Sequence, residues 1–226
     1  MRRLSKLCAD DPESGAAIRW LAEQRARYGA VCASGEKEDS FLTKYRDPRV
    51  KAAILRETLE KCAYCESKYL PVDWGDVEHI LPKAGHPERL LDYANLTLAC
   101  GKCNGGKSDV EYNDGAPLLH PYDDEPDRYF YAAGPMVMPQ MKDDPADLGY
   151  VRAKRTIIHA NINRKGLLER RAEYISDKYQ QLVFAFRTAQ SPAVRDLARL
   201  QIDKIKADDA EYTLVARWFF QSAGVA

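Results

Sequence analysis

The sequence predicts a mainly α-helical protein with a small α+β core between its N-terminal and C-terminal helices. Three observations support this fold class. Apolar residues recur at helical spacing towards both ends of the 226-residue chain. Between residues 62 and 108 this spacing gives way to short segments separated by prolines and glycines, which is typical of turns and short strands. Four of the six cysteines lie in two pairs at the two ends of that middle segment.

Residues 1–61 are predicted to form a helical lead. Asp11 can cap a first helix, which we expect over residues 12–29 with Gly29 at its end. Pro48 is expected to start a second helix, because the apolar residues that follow it keep helical spacing up to the first cysteine pair.

The second half of the chain divides at about residue 150. Residues 109–150 are an acidic extension, in which the apolar triplets 129–131 and 136–138 flank a turn and predict a hairpin. Residues 151–226 are predicted to form a C-terminal helical region. Its helices are expected to break near 164–166, 191–192 and 207–209.

The charge is balanced overall, with 34 basic and 34 acidic residues, but unevenly distributed. Residues 109–147 contain ten acids and two bases, a net charge of −8, and residues 151–206 contain thirteen bases and five acids, a net charge of +8. A basic half can bind a polyanion even in a neutral chain. The simpler alternatives are that the two halves face each other or that the bases form a solvated helix face.

The composition excludes two classes of protein. Hydrophobic residues make up 45% of the chain, which is too many for a mainly disordered protein. No run of roughly 20 apolar residues, the length that a bilayer requires, is present, and polar residues follow the basic N-terminus where a signal peptide would be apolar. We therefore expect a cytoplasmic protein with no membrane partner.

The cysteine pairs, Cys62 with Cys65 and Cys100 with Cys103, predict a zinc site. Each pair brings two thiolates to the same side of a turn, and four thiolates complete the coordination of Zn²⁺ and exclude water. The zinc is therefore expected to be structural. The alternative is four unrelated buried thiols.

Residues suited to phosphodiester hydrolysis lie between and just after the pairs: Glu78, His79, Asn95, Asn104 and Lys107. Hydrolysis needs a base that activates water, a hard cation on the phosphate and positive charge where the transition state becomes negative. Histidine titrates near neutrality, carboxylate and amide oxygens suit Mg²⁺, and lysine suits the developing charge.

This arrangement resembles the HNH endonuclease family. The matching features are Glu-His-Ile-x-Pro at 78–82, Asn95 sixteen residues after the histidine, Asn104 nine residues further on, and the flanking cysteine pairs. The resemblance covers about residues 62–108. It implies a ββα-metal nuclease core with a structural zinc held by four cysteines, flanked by helices.

The resemblance also implies a role for each residue. His79 would be the general base, and Asn95 would hold the loop and orient the histidine. Glu78 and Asn104 would bind a catalytic Mg²⁺ or Mn²⁺ ion, and Lys107 would contact the phosphate. The acid before the histidine is glutamate rather than the more frequent aspartate, so its reach to the metal is longer.

A wider resemblance extends to the HNH subunits of Septu-type and retron-linked anti-phage systems. It rests on the segment 118–126 and on the run 162–171 within the helical tail. That family works beside an ATPase of the ABC/SMC-like class. The resemblance implies DNA as substrate and such an ATPase as partner, docked by the acidic extension or the tail.

Three other functions remain open from the sequence. A non-catalytic zinc module could bind nucleic acid and give His79 no chemistry. An interaction subunit could mainly dock a partner protein. A stand-alone HNH restriction enzyme would share the chemistry without the ATPase. Lys83 and Lys102 are further candidates for contact with the phosphate backbone.

Overall fold

The computed structural model describes residues 1–36, 38–69, 75–108, 115–140, 144 and 146–225. Within them, helices dominate and strands are few and short, as predicted. The helices are α1 (Gly15–Ser34), α2 (Pro48–Glu57), α3 (Gly101–Lys107), α4 (Leu148–His159), α5 (Lys165–Tyr174), α6 (Gln180–Thr188), α7 (Pro192–Lys206) and α8 (Thr213–Ser222). The strands are β1 (Asp76–His79), β2 (Leu96–Ala99), β3 (Phe130–Ala133) and β4 (Met136–Pro139).

Helix α1 is longer than predicted, and the expectation that it ends at Gly29 is wrong. An internal glycine weakens a helix by about 1 kcal/mol but does not stop it. The helix continues because Tyr28 and Val31 pack against the core. It ends at Gly35, whose positive φ of 76° gives the left-handed conformation that terminates helices.

A two-stranded sheet and one helix form the centre of the molecule. Strands β1 and β2 are antiparallel, with His79 opposite Leu96 and Asp76 opposite Ala99. Strand β2 is buried over its whole length and packs against α2. Helix α3 follows β2 after Cys100, which completes a ββα unit.

The predicted hairpin is confirmed as β3 and β4, with Ala133 opposite Met136 across the turn. Gly134 has a φ of 58° in this turn, a conformation that favours glycine. Helix α8 packs on β3 and α4 packs on β4. The hairpin therefore connects the first and last helices of the C-terminal region.

The predicted breaks in the C-terminal helices are confirmed, but one irregularity was not expected. Helices α5 and α6 are joined without interruption by a single π turn at Ile175–Tyr179. At its end Tyr179 is fully buried, with its ring centre 5.6 Å from that of Phe219 and 5.3 Å from that of Phe220. In the described part of the chain, no helix is both long and apolar enough to cross a membrane.

An ion pair joins the acidic extension to the basic helices. Arg152 of α4 donates two hydrogen bonds to the carboxylate of Asp124, at 3.0 and 2.7 Å. At this point the two oppositely charged segments face each other, as one of the simpler interpretations of the charge pattern expects. Residues 109–114, 141–143 and 145 of the extension lie outside the described residues.

Glu57, at the end of α2, connects three parts of the chain. Its buried carboxylate accepts hydrogen bonds from Lys6 Nζ at 3.0 Å and from the Leu7 amide at 2.8 Å. It also accepts from the hydroxyl groups of Tyr93 at 2.6 Å and Tyr122 at 2.8 Å. A buried charge is tolerated when it is fully hydrogen-bonded. The N-terminal segment, the ββα unit and the extension therefore share one polar centre.

We predict that Gly106→Ala destabilises the protein by about 1–3 kcal/mol, through a steric clash in a packed interior. A Cβ atom at Gly106 would lie 2.7 Å from the carbonyl oxygen of His159, where α3 meets the end of α4. The matched control is Gly105→Ala. A Cβ there meets nothing within 4 Å, and alanine should stabilise the helix by about 0.5–1 kcal/mol.

Urea unfolding followed by circular dichroism measures both free energies. Equal stability of the two variants would contradict the close contact between α3 and α4.

Candidate metal centre and active site

The four paired cysteines converge at one point. Cys62 and Cys65 lie in the turn after α2, while Cys100 immediately precedes α3 and Cys103 lies within it. All four sulfur atoms lie within 4.8 Å of one another, and the Cys65 and Cys100 sulfurs are 3.9 Å apart. Zn–S bonds of about 2.3 Å in a tetrahedron place sulfurs roughly 3.8 Å apart. The cluster therefore fits a zinc ion, and no other group of this kind occurs among the described residues.

An arginine from the C-terminal region lies against this cluster. The guanidinium group of Arg164 donates to the sulfurs of Cys103 at 3.5 Å, Cys100 at 3.7 Å and Cys65 at 3.8 Å. Burial acts to lower the pKa of Arg164, but the neighbouring sulfurs outweigh it and raise that pKa above its ordinary value. A cation here offsets the excess negative charge of four thiolates. Sequence reasoning assigned Arg164 no such role.

His79 ends strand β1 with its ring buried. Its Nε2 lies 2.9 Å from the carbonyl oxygen of Leu90. Because a carbonyl oxygen can only accept a hydrogen bond, Nε2 carries the hydrogen and Nδ1 is the basic nitrogen. Burial lowers the pKa of His79 to about 4, and the positive charges of Lys83, Lys107 and Arg46 act in the same direction. The ring is therefore neutral at pH 7.

Asn95 holds the segment that follows His79. Its Oδ1 accepts from the Leu81 amide at 2.8 Å, and its Nδ2 donates to the Leu81 carbonyl at 3.0 Å. The Ile80 amide also donates to the Asn95 carbonyl at 2.8 Å. Asn95 is buried and does not line the cavity described next, so it fixes the loop rather than contacting a ligand.

A cavity of about 490 Å³ opens at the end of β1. Glu78, His79 and Asn104 line it, so three residues that the sequence singled out meet at one surface. Asp76 lines it as well, and its Oδ2 accepts a hydrogen bond from Asn104 Nδ2 at 3.3 Å. Because Nδ2 donates to this carboxylate, the amide oxygen Oδ1 of Asn104 takes no part in that hydrogen bond.

Asp76 is the candidate ligand that sequence reasoning missed. It precedes Glu78 by two residues on β1, and side chains two residues apart point to the same face of a strand. This two-residue spacing is the feature of the sequence from which Asp76 could have been predicted as a ligand. The two carboxylates and the Asn104 amide therefore place oxygen atoms of the type that Mg²⁺ prefers beside one cavity.

The expected role of Lys107 as a phosphate contact has to be corrected, because its side chain is buried. Its Nζ lies 2.7 Å from Glu78 Oε1 and donates to the His79 carbonyl at 3.0 Å, with only 1% of its side chain exposed. Helix α3 packs on β1, so this side chain extends into the interior, where an ammonium group needs a carboxylate partner. Burial raises the pKa of Glu78, although Lys107 opposes that shift. Lys107 therefore neutralises Glu78 instead of reaching the cavity.

Comparison with known proteins identifies the same region of the chain. Residues 62–109 match the family model described as HNH endonuclease. The chain is also similar to the Septu protein PtuB of Bacillus thuringiensis, at 34% identity over 88 residues. That alignment covers 36% of this chain and 32% of the relative, so the chain matches about a third of the relative's length.

The matched residues coincide with the ββα unit, both cysteine pairs and the carboxylate–histidine strand. The family match and the geometry thus identify the same unit of the chain. Residues 62–109 accordingly form a domain similar to the HNH endonuclease family.

Proposed function

We propose that this protein is a metal-dependent HNH endonuclease that hydrolyses phosphodiester bonds of DNA. The observation that carries the proposal is the setting of His79. Its Nε2–H is fixed on a backbone carbonyl, and its neutral ring lines the same cavity as two carboxylates and an amide. A neutral imidazole with one free nitrogen can accept a proton from water.

Each of the chain's own groups has a defined part in this reaction. His79 accepts the proton of the attacking water at Nδ1, and the Leu90 carbonyl keeps the ring oriented. Asn95 fixes the loop after the histidine through Leu81. Asp76, Glu78 and the Asn104 amide oxygen fit a hard divalent cation, Mg²⁺ or Mn²⁺. When bound, such an ion supplies positive charge to the phosphate and to the leaving oxygen.

The zinc in this proposal has a structural function. Four thiolates leave no coordination position for water or substrate. The cluster joins the turn after α2 to the start of α3, and so fixes the two ends of the catalytic domain relative to each other.

The biological setting is proposed from similarity alone. The relative is a Septu protein, and the family resemblance suggests a nuclease that acts in an anti-phage complex with an ABC/SMC-like ATPase. The acidic extension and the basic C-terminal helices are the segments we propose for contact with the ATPase and with DNA. Cleavage measured with and without that ATPase tests this part separately.

One observation favours a second candidate function. The ion pair between Glu78 and Lys107 already occupies one carboxylate oxygen of the proposed metal site. A domain that never releases this oxygen would be a zinc module that binds nucleic acid or a partner without cleaving. The two candidates differ in their response to removal of the histidine.

We predict that His79→Ala lowers cleavage by about 10²–10⁴-fold, the usual contribution of a general base. Conversion of supercoiled plasmid to nicked and linear forms in Mg²⁺ or Mn²⁺ measures the rate. The matched control is His86→Ala, because His86 pairs with Glu88 outside the cavity. Cleavage by His79→Ala at the wild-type rate would refute the role of this histidine and favour the second candidate.

We predict that Cys103→Ser loses the bound zinc, since sulfur contributes one quarter of the coordination. Loss of a structural metal also removes folding free energy. A fall of about 4 kcal/mol in the free energy of unfolding would lower the melting temperature by roughly 8–16 °C in a chain of this size. Elemental analysis and thermal melting measure the two effects. Cys32→Ser is the control, because Cys32 is exposed and outside the cluster. Full zinc content in Cys103→Ser would show that the cluster does not hold the ion.

A further inference from the structure

Because Lys107 is buried, it cannot supply positive charge to a phosphate in the cavity. Phosphodiester hydrolysis builds negative charge on the phosphoryl oxygens, and cations placed beside them lower the barrier. Lys107 faces Glu78 and the His79 carbonyl in the interior. Any side-chain positive charge for a phosphate in the cavity, in addition to that of a metal ion, has to come from other residues.

Among the residues that the structure describes, three cationic side chains line the cavity: Arg46, Lys51 and Lys83. Lys51 is half-buried and donates a hydrogen bond to the Gly75 carbonyl at 2.6 Å. Arg46 and Lys83 are exposed, and among the described residues neither is within 4.0 Å of a carboxylate. These two cations are therefore available to an anionic ligand.

One buried tyrosine brings these two cations together. The hydroxyl oxygen of Tyr45 accepts from Arg46 Nε at 3.1 Å and from Lys83 Nζ at 3.4 Å. The ring of Tyr45 is buried and packs edge-to-face with the His79 ring, at 4.5 Å between ring centres. Arg46 and Lys83, far apart in the sequence, are thus held on the side of the cavity next to the proposed base.

The position of Arg46 is fixed by the chain on both sides. It ends a 3₁₀ helix, Asp39–Arg46, whose Phe41 and Tyr45 are buried. Asp47 follows and caps α2 by accepting from the Arg49 amide at 2.9 Å. The Nε of Arg46 donates its hydrogen bond to Tyr45, so the two terminal nitrogens of the guanidinium group are left for a ligand. Those nitrogens can form the paired hydrogen bonds that arginine makes with phosphate.

We propose that Arg46, together with Lys83, binds the phosphate group that enters the cavity, with Tyr45 as the positioning residue for both. This inference rests on the proposed function, because the bound phosphate is taken to be the one that is cleaved. It makes the N-terminal helical segment, outside the matched family domain, a part of the active site.

The test compares Arg46→Gln and Lys83→Gln with the control Arg49→Gln. Arg49 is an exposed arginine three residues from Arg46 that pairs with Asp47 and does not line the cavity. Plasmid cleavage gives kcat/KM. Fluorescence anisotropy of a short labelled DNA duplex without divalent ion, measured over a range of NaCl concentrations, gives binding independently of catalysis.

We expect kcat/KM to fall by about 10–100-fold in Arg46→Gln and Lys83→Gln and to stay within about twofold in Arg49→Gln. The slope of log affinity against log salt should fall by about 1 for each cation removed. Arg46→Lys should recover part of the loss, because it restores the charge without the paired geometry. Thermal midpoints should not change, since both side chains are exposed.

Two results separate this inference from the proposed function. If the wild type cleaves DNA and Arg46→Gln and Lys83→Gln cleave equally well, the inference is overturned and the proposed function stands. If the wild type does not cleave, the DNA affinities measured by anisotropy test the phosphate site. Weaker DNA binding by these two variants than by Arg49→Gln would support the phosphate site, and equal binding would overturn it.

Discussion

The convergence of four sulfur atoms is the constraint on which the rest of the centre depends. It joins the turn at Cys62–Cys65 to the start of α3 at Cys100–Cys103. Between these points the chain contains two four-residue strands and several turns, which have little apolar surface of their own to bury. With both ends fixed, β1 and α3 present Glu78 and Asn104 to one cavity. Arg164 extends the same constraint to the C-terminal helices.

The distribution of cations around the cavity follows from burial. Lys107 lies under strand β1, where desolvation makes the Glu78 carboxylate its necessary partner. Arg46 and Lys83 lie at the surface, where a tyrosine hydroxyl orients them without neutralising their charge. An interior cation thus stabilises the carboxylate strand, while surface cations remain able to meet an anion. Basic residues around the cavity therefore have different functions because they differ in exposure.

The N-terminal helices pack as part of the same unit as the segment that matches the HNH family model. Glu57 joins the chain's first residues to Tyr93 and Tyr122 through one buried carboxylate. Tyr45, from the same region, supports the ring of His79. The segment matched by the family model therefore receives part of its packing, and in our proposal part of its site, from residues before position 62.

The sequence by itself determined the features that depend on local spacing. Cysteine spacing predicted the metal cluster, helical periodicity predicted the outer helices and their breaks, and the Glu78–His79 pair with Asn104 predicted the site. The tertiary structure decided which side chains are buried. It placed Lys107 in the interior, added Asp76 to the cavity and brought Arg46 beside Lys83. These outcomes depend on how α3 and the N-terminal segment pack on β1, and contacts between segments so far apart leave no periodic signal in a single sequence.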